Sequence, residues 1–74
     1  MRGKPLDWKR LGNNVRRLRV EKGYTQKDMA CQLGCSQRHL SRIERGEGGM
    51  SVEIFVRICS SLDCKPADIL YGAE

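Results

Sequence analysis

TQKDMACQLGCSQRHLSRIERG, residues 25–46, encodes two short helices bent about a glycine. Thr25 has the side chain of an N-cap. Asp28 follows three residues on, a capping-box-like start. Met29, Ala30 and Leu33 then fall on one helical face, and Gly34 stops the helix. Ser36, a second good N-cap, follows almost at once. In the next helix Leu40 and Ile43 form the apolar side. Arg38, Ser41, Arg42 and Arg45 sit at spacings of three and four on the opposite side, and Gly46 ends it. Ala30 is small enough to let the two helices approach. Gly34 can take a positive φ for the sharp turn. Leu40 and Ile43 pin the second helix onto the first.

Outward from this stretch the helical signals continue. Pro5-Leu6-Asp7 reads as a helix start with Asp7 as N-cap. Trp8, Leu11, Val15 and Leu18 recur at helical spacing, and Gly23 is a natural stop, so the first helix is expected over Trp8–Lys22. Glu47-Gly48-Gly49-Met50 reads as a loop. Ser51 caps a fourth helix with Ile54, Phe55, Ile58 and Leu62 on one side. Lys65-Pro66 places proline in the first turn of a fifth, where its missing N–H costs nothing. Ile69, Leu70 and Tyr71 are expected to face inward there, with Gly72 as the close. No segment alternates like a strand. The fold class is therefore all-α, with two central helices built as a helix-turn-helix. The second helix of that motif enters the major groove of DNA N-terminus first.

The totals narrow the function. Seventy-four residues make one small domain, with no room for a ligand-sensing unit. Lys and Arg exceed Asp and Glu by five, with a pI near 9.3. That surplus suits a polyanion partner, since each neutralised phosphate releases counterions. A merely soluble, mildly basic protein would show the same charge. No stretch is apolar enough to span a bilayer, and no apolar run follows the basic start Met1-Arg2-Gly3-Lys4-Pro5. A reducing, cytoplasmic setting is expected. Cys31-x3-Cys35 and Cys59-x4-Cys64 are not C-x-x-C pairs. Cys31, Cys35 and His39 recur every four residues, but Gly34 interrupts the helix, so they do not share a face as a metal site needs. Structural thiols without metal or cofactor are expected. No nucleophile–base pair, carboxylate dyad or phosphate loop is present, which argues against an enzyme.

Several pieces together carry a resemblance. They are Leu11-Gly12, Val15-Arg16-Arg17-Leu18-Arg19, Gly23-Tyr24-Thr25-Gln26, Ala30, Leu33-Gly34-Cys35-Ser36-Gln37, Ile43-Glu44-Arg45-Gly46 and Ile58-Cys59-Ser60-Ser61-Leu62. The sequence resembles the phage repressor and Cro-type (XRE-like) helix-turn-helix family of small transcriptional regulators, from about Leu11 to Leu70. The resemblance implies a compact five-helix, lambda-repressor-like domain over residues 8–72, preceded by a basic arm at 1–7. It implies sequence-specific binding to double-stranded DNA, as a homodimer on an inverted-repeat operator. Gln37, Arg38 and Arg42 match base-contacting positions, and their chemistry fits. Gln can read adenine N6/N7, and Arg guanine O6/N7. A solvated helix face is the alternative.

By the same resemblance, Gln26 contacts a phosphate and braces the first recognition-helix side chain. Ser36, Ser41 and Arg45 look like phosphate or edge contacts. Arg19 and Glu44 match an ion pair between the first and third helices, and independent surface charges are the alternative. Cys35 and Cys64 sit where small apolar residues fill turns, and Cys59 where the family often has Ala. His39 is either a peripheral phosphate contact or plain surface. Phe55, Leu70 and Tyr71 are candidates for a dimer surface or for core. The sequence departs from the family before the fourth helix, where the loop often carries a basic residue and a Pro. Here it is Gly46-Glu47-Gly48-Gly49-Met50-Ser51, and Glu47 would repel a phosphate. Arg2 and Lys4 in the arm would compensate by following a groove, if the terminus is ordered. The acidic loop leaves a second reading: an interaction module of the same fold without DNA binding.

Overall fold

The computed structural model describes residues 5–74, so Arg2, Lys4 and most of the expected arm lie outside the described residues. Within them are five helices and no strand: α1 Trp8–Lys22, α2 Gln26–Leu33, α3 Gln37–Glu44, α4 Val52–Leu62 and α5 Pro66–Leu70. Four begin on the expected caps. Asp7, Thr25, Ser36 and Ser51 each accept the backbone N–H three residues on. Thr25 and Asp28 complete both arms of a capping box, at 3.0 and 3.3 Å. At α5 the Asp68 carboxylate accepts the Lys65 N–H at 2.9 Å.

Four helices end by one device. After α1, α2, α3 and α4 the chain turns through a left-handed residue and returns an N–H to a carbonyl five residues back. The bonds are Tyr24 to Arg19, Cys35 to Ala30, Glu47 to Arg42 and Cys64 to Cys59. Glycine fills the left-handed position at 23, 34 and 46, but Asp63 fills it after α4, with φ 50°. An L side chain is strained there, and a carboxylate at a helix C-terminus also opposes the helix dipole. Asp63→Gly removes both penalties. Offset by glycine's freedom in the unfolded chain, this leaves an expected gain of about 1 kcal/mol. Thermal unfolding should show the midpoint rise by about 4–8 °C.

The core joins all five helices. Leu11, Val15, Met29, Leu33, Leu40, Ile58 and Ile69 are almost completely buried. α1 packs on α3, α4 and α5, while α2 packs on α3 and α4. Two glycines set the α1–α3 approach. A Cβ on Gly12 would collide with the Ile43 carbonyl oxygen and lie 2.8 Å from that of Glu44. A Cβ on Gly46 would lie 2.5 Å from the Lys9 Cα.

The chain end departs from expectation. α5 stops at Leu70, and Tyr71 leaves the helix at ψ 120° with its side chain exposed rather than inward. The reason is a set of polar contacts from α1. The Tyr71 carbonyl accepts Arg10 Nε at 3.2 Å and Asn14 Nδ2 at 2.9 Å, and the Arg10 guanidinium lies over the ring. Asn14 is buried and also donates to the Ile69 carbonyl at 2.8 Å. Beyond Gly72, Ala73 is buried and its carbonyl accepts the Asp7 N–H at 2.8 Å. Leu6 packs on the same core. Packing contacts thus extend from Leu6 to Ala73.

Candidate nucleic-acid interface

α3 is held by three buried residues on one side: Leu40, Ile43 and Glu44. At 3.6 residues per turn, Gln37, Arg38, Ser41, Arg42 and Arg45 all fall within an arc of about 140° on the other. Gln37, Arg38, Arg42 and Arg45 are exposed, and Ser41 is half-buried at the arc's interior. The turn at Gly34 aims this row outward. Arg57 of α4 secures that turn, donating Nη1 to the Leu33 carbonyl at 3.0 Å and meeting Glu53 at 2.7 Å through Nη2. Nothing in the sequence around Arg57 signalled the Leu33 contact, although the Glu53-x3-Arg57 spacing signals the pair.

Ser36 lies at the tip of this helix. Its Oγ accepts the His39 N–H, and its own hydroxyl proton remains available to a phosphate oxygen. His39 is half-buried beside the row.

Behind the row lies a buried polar network. Arg19 of α1 meets Glu44 of α3 in two parallel bonds, Nε to Oε2 at 2.6 Å and Nη2 to Oε1 at 3.1 Å. Arg19 Nη1 caps the Tyr24 carbonyl at 2.7 Å. The two side chains are 10% and 3% exposed, so water screens the pair little. Gln26 joins the network: its Nε2 donates to Glu44 Oε1 at 3.0 Å. That bond fixes the Gln26 amide against the buried pair. The second N–H of that amide is the one left to reach a phosphate.

The loop after α3 holds a residue whose role in the site was missed. Glu47 accepts from Arg42 Nε at 3.1 Å and pairs with Arg45 Nη2 at 3.0 Å. Its charge alone suggests repulsion of a phosphate. In the folded chain it sits between two exposed arginines of α3 and its C-cap.

All four cysteines are free thiols. Cys35, Cys59 and Cys64 pack partly buried against the core, and Cys31 is exposed. Burial pushes the Cys64 thiol up to about 11, which keeps it protonated and unreactive near neutral pH. Among the described residues no group of three or more His, Cys, Asp and Glu is placed to hold a metal, and no helix is long and apolar enough to cross a membrane.

An outward row of polar and basic side chains on the second of two helices bent at a glycine defines a helix-turn-helix domain. The helix-turn-helix family profile HTH_3 matches residues 15–69, and the chain belongs to that family. It is similar to the putative HTH-type transcriptional regulatory protein PF1851 of Pyrococcus furiosus, 36% identical over 61 residues. That match covers 78% of this chain and 19% of the relative, so the chain spans about a fifth of that protein's length. Among solved structures it resembles the clp gene regulator ClgR of Corynebacterium glutamicum, with a TM-score of 0.82 and 34% identity. That alignment covers 95% of this chain and 91% of that one. It also resembles the P22 c2 repressor bound to a synthetic operator, with a TM-score of 0.78 and 26% identity, covering 84% of this chain and 94% of that one. The chain is thus a Cro/C1-type helix-turn-helix domain, and the relatives it matches are named as transcriptional regulators.

Proposed function

We propose that the protein is a sequence-specific repressor that lays α3 in the major groove of duplex DNA and binds an inverted repeat as a homodimer. One observation carries the reading: Gln37, Arg38 and Arg42 are exposed on the same helix whose Leu40 and Ile43 are sunk in the core. Gln37 and Arg38, at the N-terminal end of α3, reach deepest. Arg42, one turn on, addresses the neighbouring base step. Gln26, Ser36, Ser41 and Arg45 flank them as phosphate contacts, which fix register without reading sequence. The likeness to an operator-bound repressor supports the same geometry.

A second copy is the partner that fits an apolar surface outside the α3 row. Trp8, Met50, Val52, Phe55 and Leu70 line an apolar hollow of about 220 Å³. Val52 is 79% exposed and Val56, one helical turn on, is 58% exposed. Tyr71 is exposed near this edge. An apolar stripe along α4 continuous with a hollow suits a self-complementary twofold contact. Two recognition helices would then face successive turns of one duplex. Repression follows by occluding polymerase, in the cytoplasm.

Arg42→Ala tests the base-reading step. Binding to a duplex selected from a random pool should weaken by about 1–3 kcal/mol, with circular dichroism unchanged. Binding to unselected duplex should weaken much less. Equal weakening on both would make Arg42 a phosphate contact. A binding constant indifferent to salt would favour the interaction-module reading instead.

A further inference from the structure

Glu47 is placed too firmly to be a chance neighbour of the two arginines. Its N–H bonds the Arg42 carbonyl at 3.1 Å, closing the last turn of α3. Gly46 before it takes φ 79° and lies so close to the Lys9 backbone that no Cβ fits. The loop therefore starts from a fixed point, and the carboxylate lies over the end of α3. There it meets Arg42 at 3.1 Å and Arg45 at 3.0 Å, with all three side chains about half-exposed. Exposed pairs of this kind add little to folding stability. Their consequence lies in what the arginines can do next.

The atoms matter. Glu47 Oε1 takes Arg42 by its Nε. Glu47 does not occupy the terminal Nη1–Nη2 edge of this exposed arginine, the edge that matches guanine O6/N7. Glu47 Oε2 takes Arg45, the arginine assigned to the backbone, by Nη2. A carboxylate so placed orients one arginine and partly cancels the other. We propose that Glu47 is a specificity-determining residue: it holds Arg42 from behind for a base edge, and it subtracts charge from the face that would grip any DNA backbone. This rests on the reading that Arg42 contacts a base. Holding Arg42 strengthens binding only where the right base is present. Cancelling charge weakens binding to every sequence. Together they widen the gap between specific and unspecific duplex.

The test is Glu47→Gln, which keeps size and removes charge, measured beside Arg42→Ala and the double variant. Each binds two probes: a duplex selected by the wild-type protein and one of random sequence, across a salt series. Glu47→Gln should bind random duplex about 3–10-fold more tightly, with the log–log salt slope steeper by up to about one unit. Affinity for the selected duplex should rise less or fall, so that the ratio drops at least about 3-fold. The Arg42→Ala and Glu47→Gln effects should be non-additive on the selected duplex and additive on the random one. If both probes shift equally and the effects add, Glu47 is only a general charge and the proposal fails, while selective loss in Arg42→Ala leaves base reading intact. If Arg42→Ala weakens both probes alike, base reading by Arg42 fails first and takes the proposal with it. Unchanged binding to both probes in Glu47→Gln overturns it outright.

Discussion

Glu44→Leu is expected to leave most of the protein unfolded at room temperature. Glu44 is 3% exposed in its side chain and accepts three bonds, two from Arg19 and one from Gln26. Leucine would strand the Arg19 guanidinium with only the Tyr24 carbonyl as partner. Breaking one half of a buried pair typically costs about 3–5 kcal/mol, because the remaining charge is left desolvated. A single small core supplies about the same amount in total. Urea denaturation followed by circular dichroism should show the midpoint fall close to zero denaturant. The partner experiment separates the cost of stranding a charge from the worth of the pair. Arg19→Met with Glu44→Leu replaces both charges by apolar groups, and should recover most of the loss. A Glu44→Leu variant within about 1 kcal/mol of wild type would mean that the pair behaves as an exposed one.

Gly12→Ala pits local preference against packing, and packing should win. In the middle of a helix, alanine is favoured over glycine by about 1 kcal/mol. At this position the added methyl would run into the Ile43 and Glu44 carbonyls, which are backbone and cannot rotate away. α1 and α3 must then part, which disturbs the Arg19–Glu44 bonds crossing the same interface. Overpacking of this kind costs about 1–3 kcal/mol, sometimes more. With the helix gain subtracted and the pair disturbed, a net loss of about 2 kcal/mol is expected, growing with side-chain size through Gly12→Ser and Gly12→Val. Thermal unfolding measures it: the midpoint should fall by about 8–16 °C for alanine. Because α3 would tilt, DNA affinity should fall even at temperatures where the variant is folded. A rise in midpoint would show that α1 and α3 have slack.

What the sequence disclosed and what it hid divide along one line. Features set within a few residues were legible. Asp7, Thr25, Ser36 and Ser51 cap helices because each side chain reaches an N–H three residues away. The glycines at 23, 34 and 46 end helices because only local backbone sterics decide it. The helical spacing of Leu40 and Ile43 against Arg38 and Arg42 set which face of α3 looks out. Features that join distant segments were not legible without a relative. Asn14 looks like any polar residue on α1 until the carbonyls of Ile69 and Tyr71 arrive above it. Those contacts bend the chain after Leu70 and expose Tyr71, which periodicity alone would turn inward. Gly12 resembles a weak spot in a helix until the end of α3 is laid across it. Glu47 shows its charge in the sequence, but not that the turn at Gly46 swings it back onto Arg42 and Arg45.

If α3 reads base edges from the major groove, blocking those edges must block binding. Methylation interference on a selected duplex tests it most directly, because dimethyl sulfate marks guanine N7 in the major groove and adenine N3 in the minor groove. N7 methylation should block binding at two clusters of guanines about one helical turn apart, and Arg42→Ala should lose the block at one guanine in each. Interference confined to adenine N3, or none from guanine N7, would contradict it.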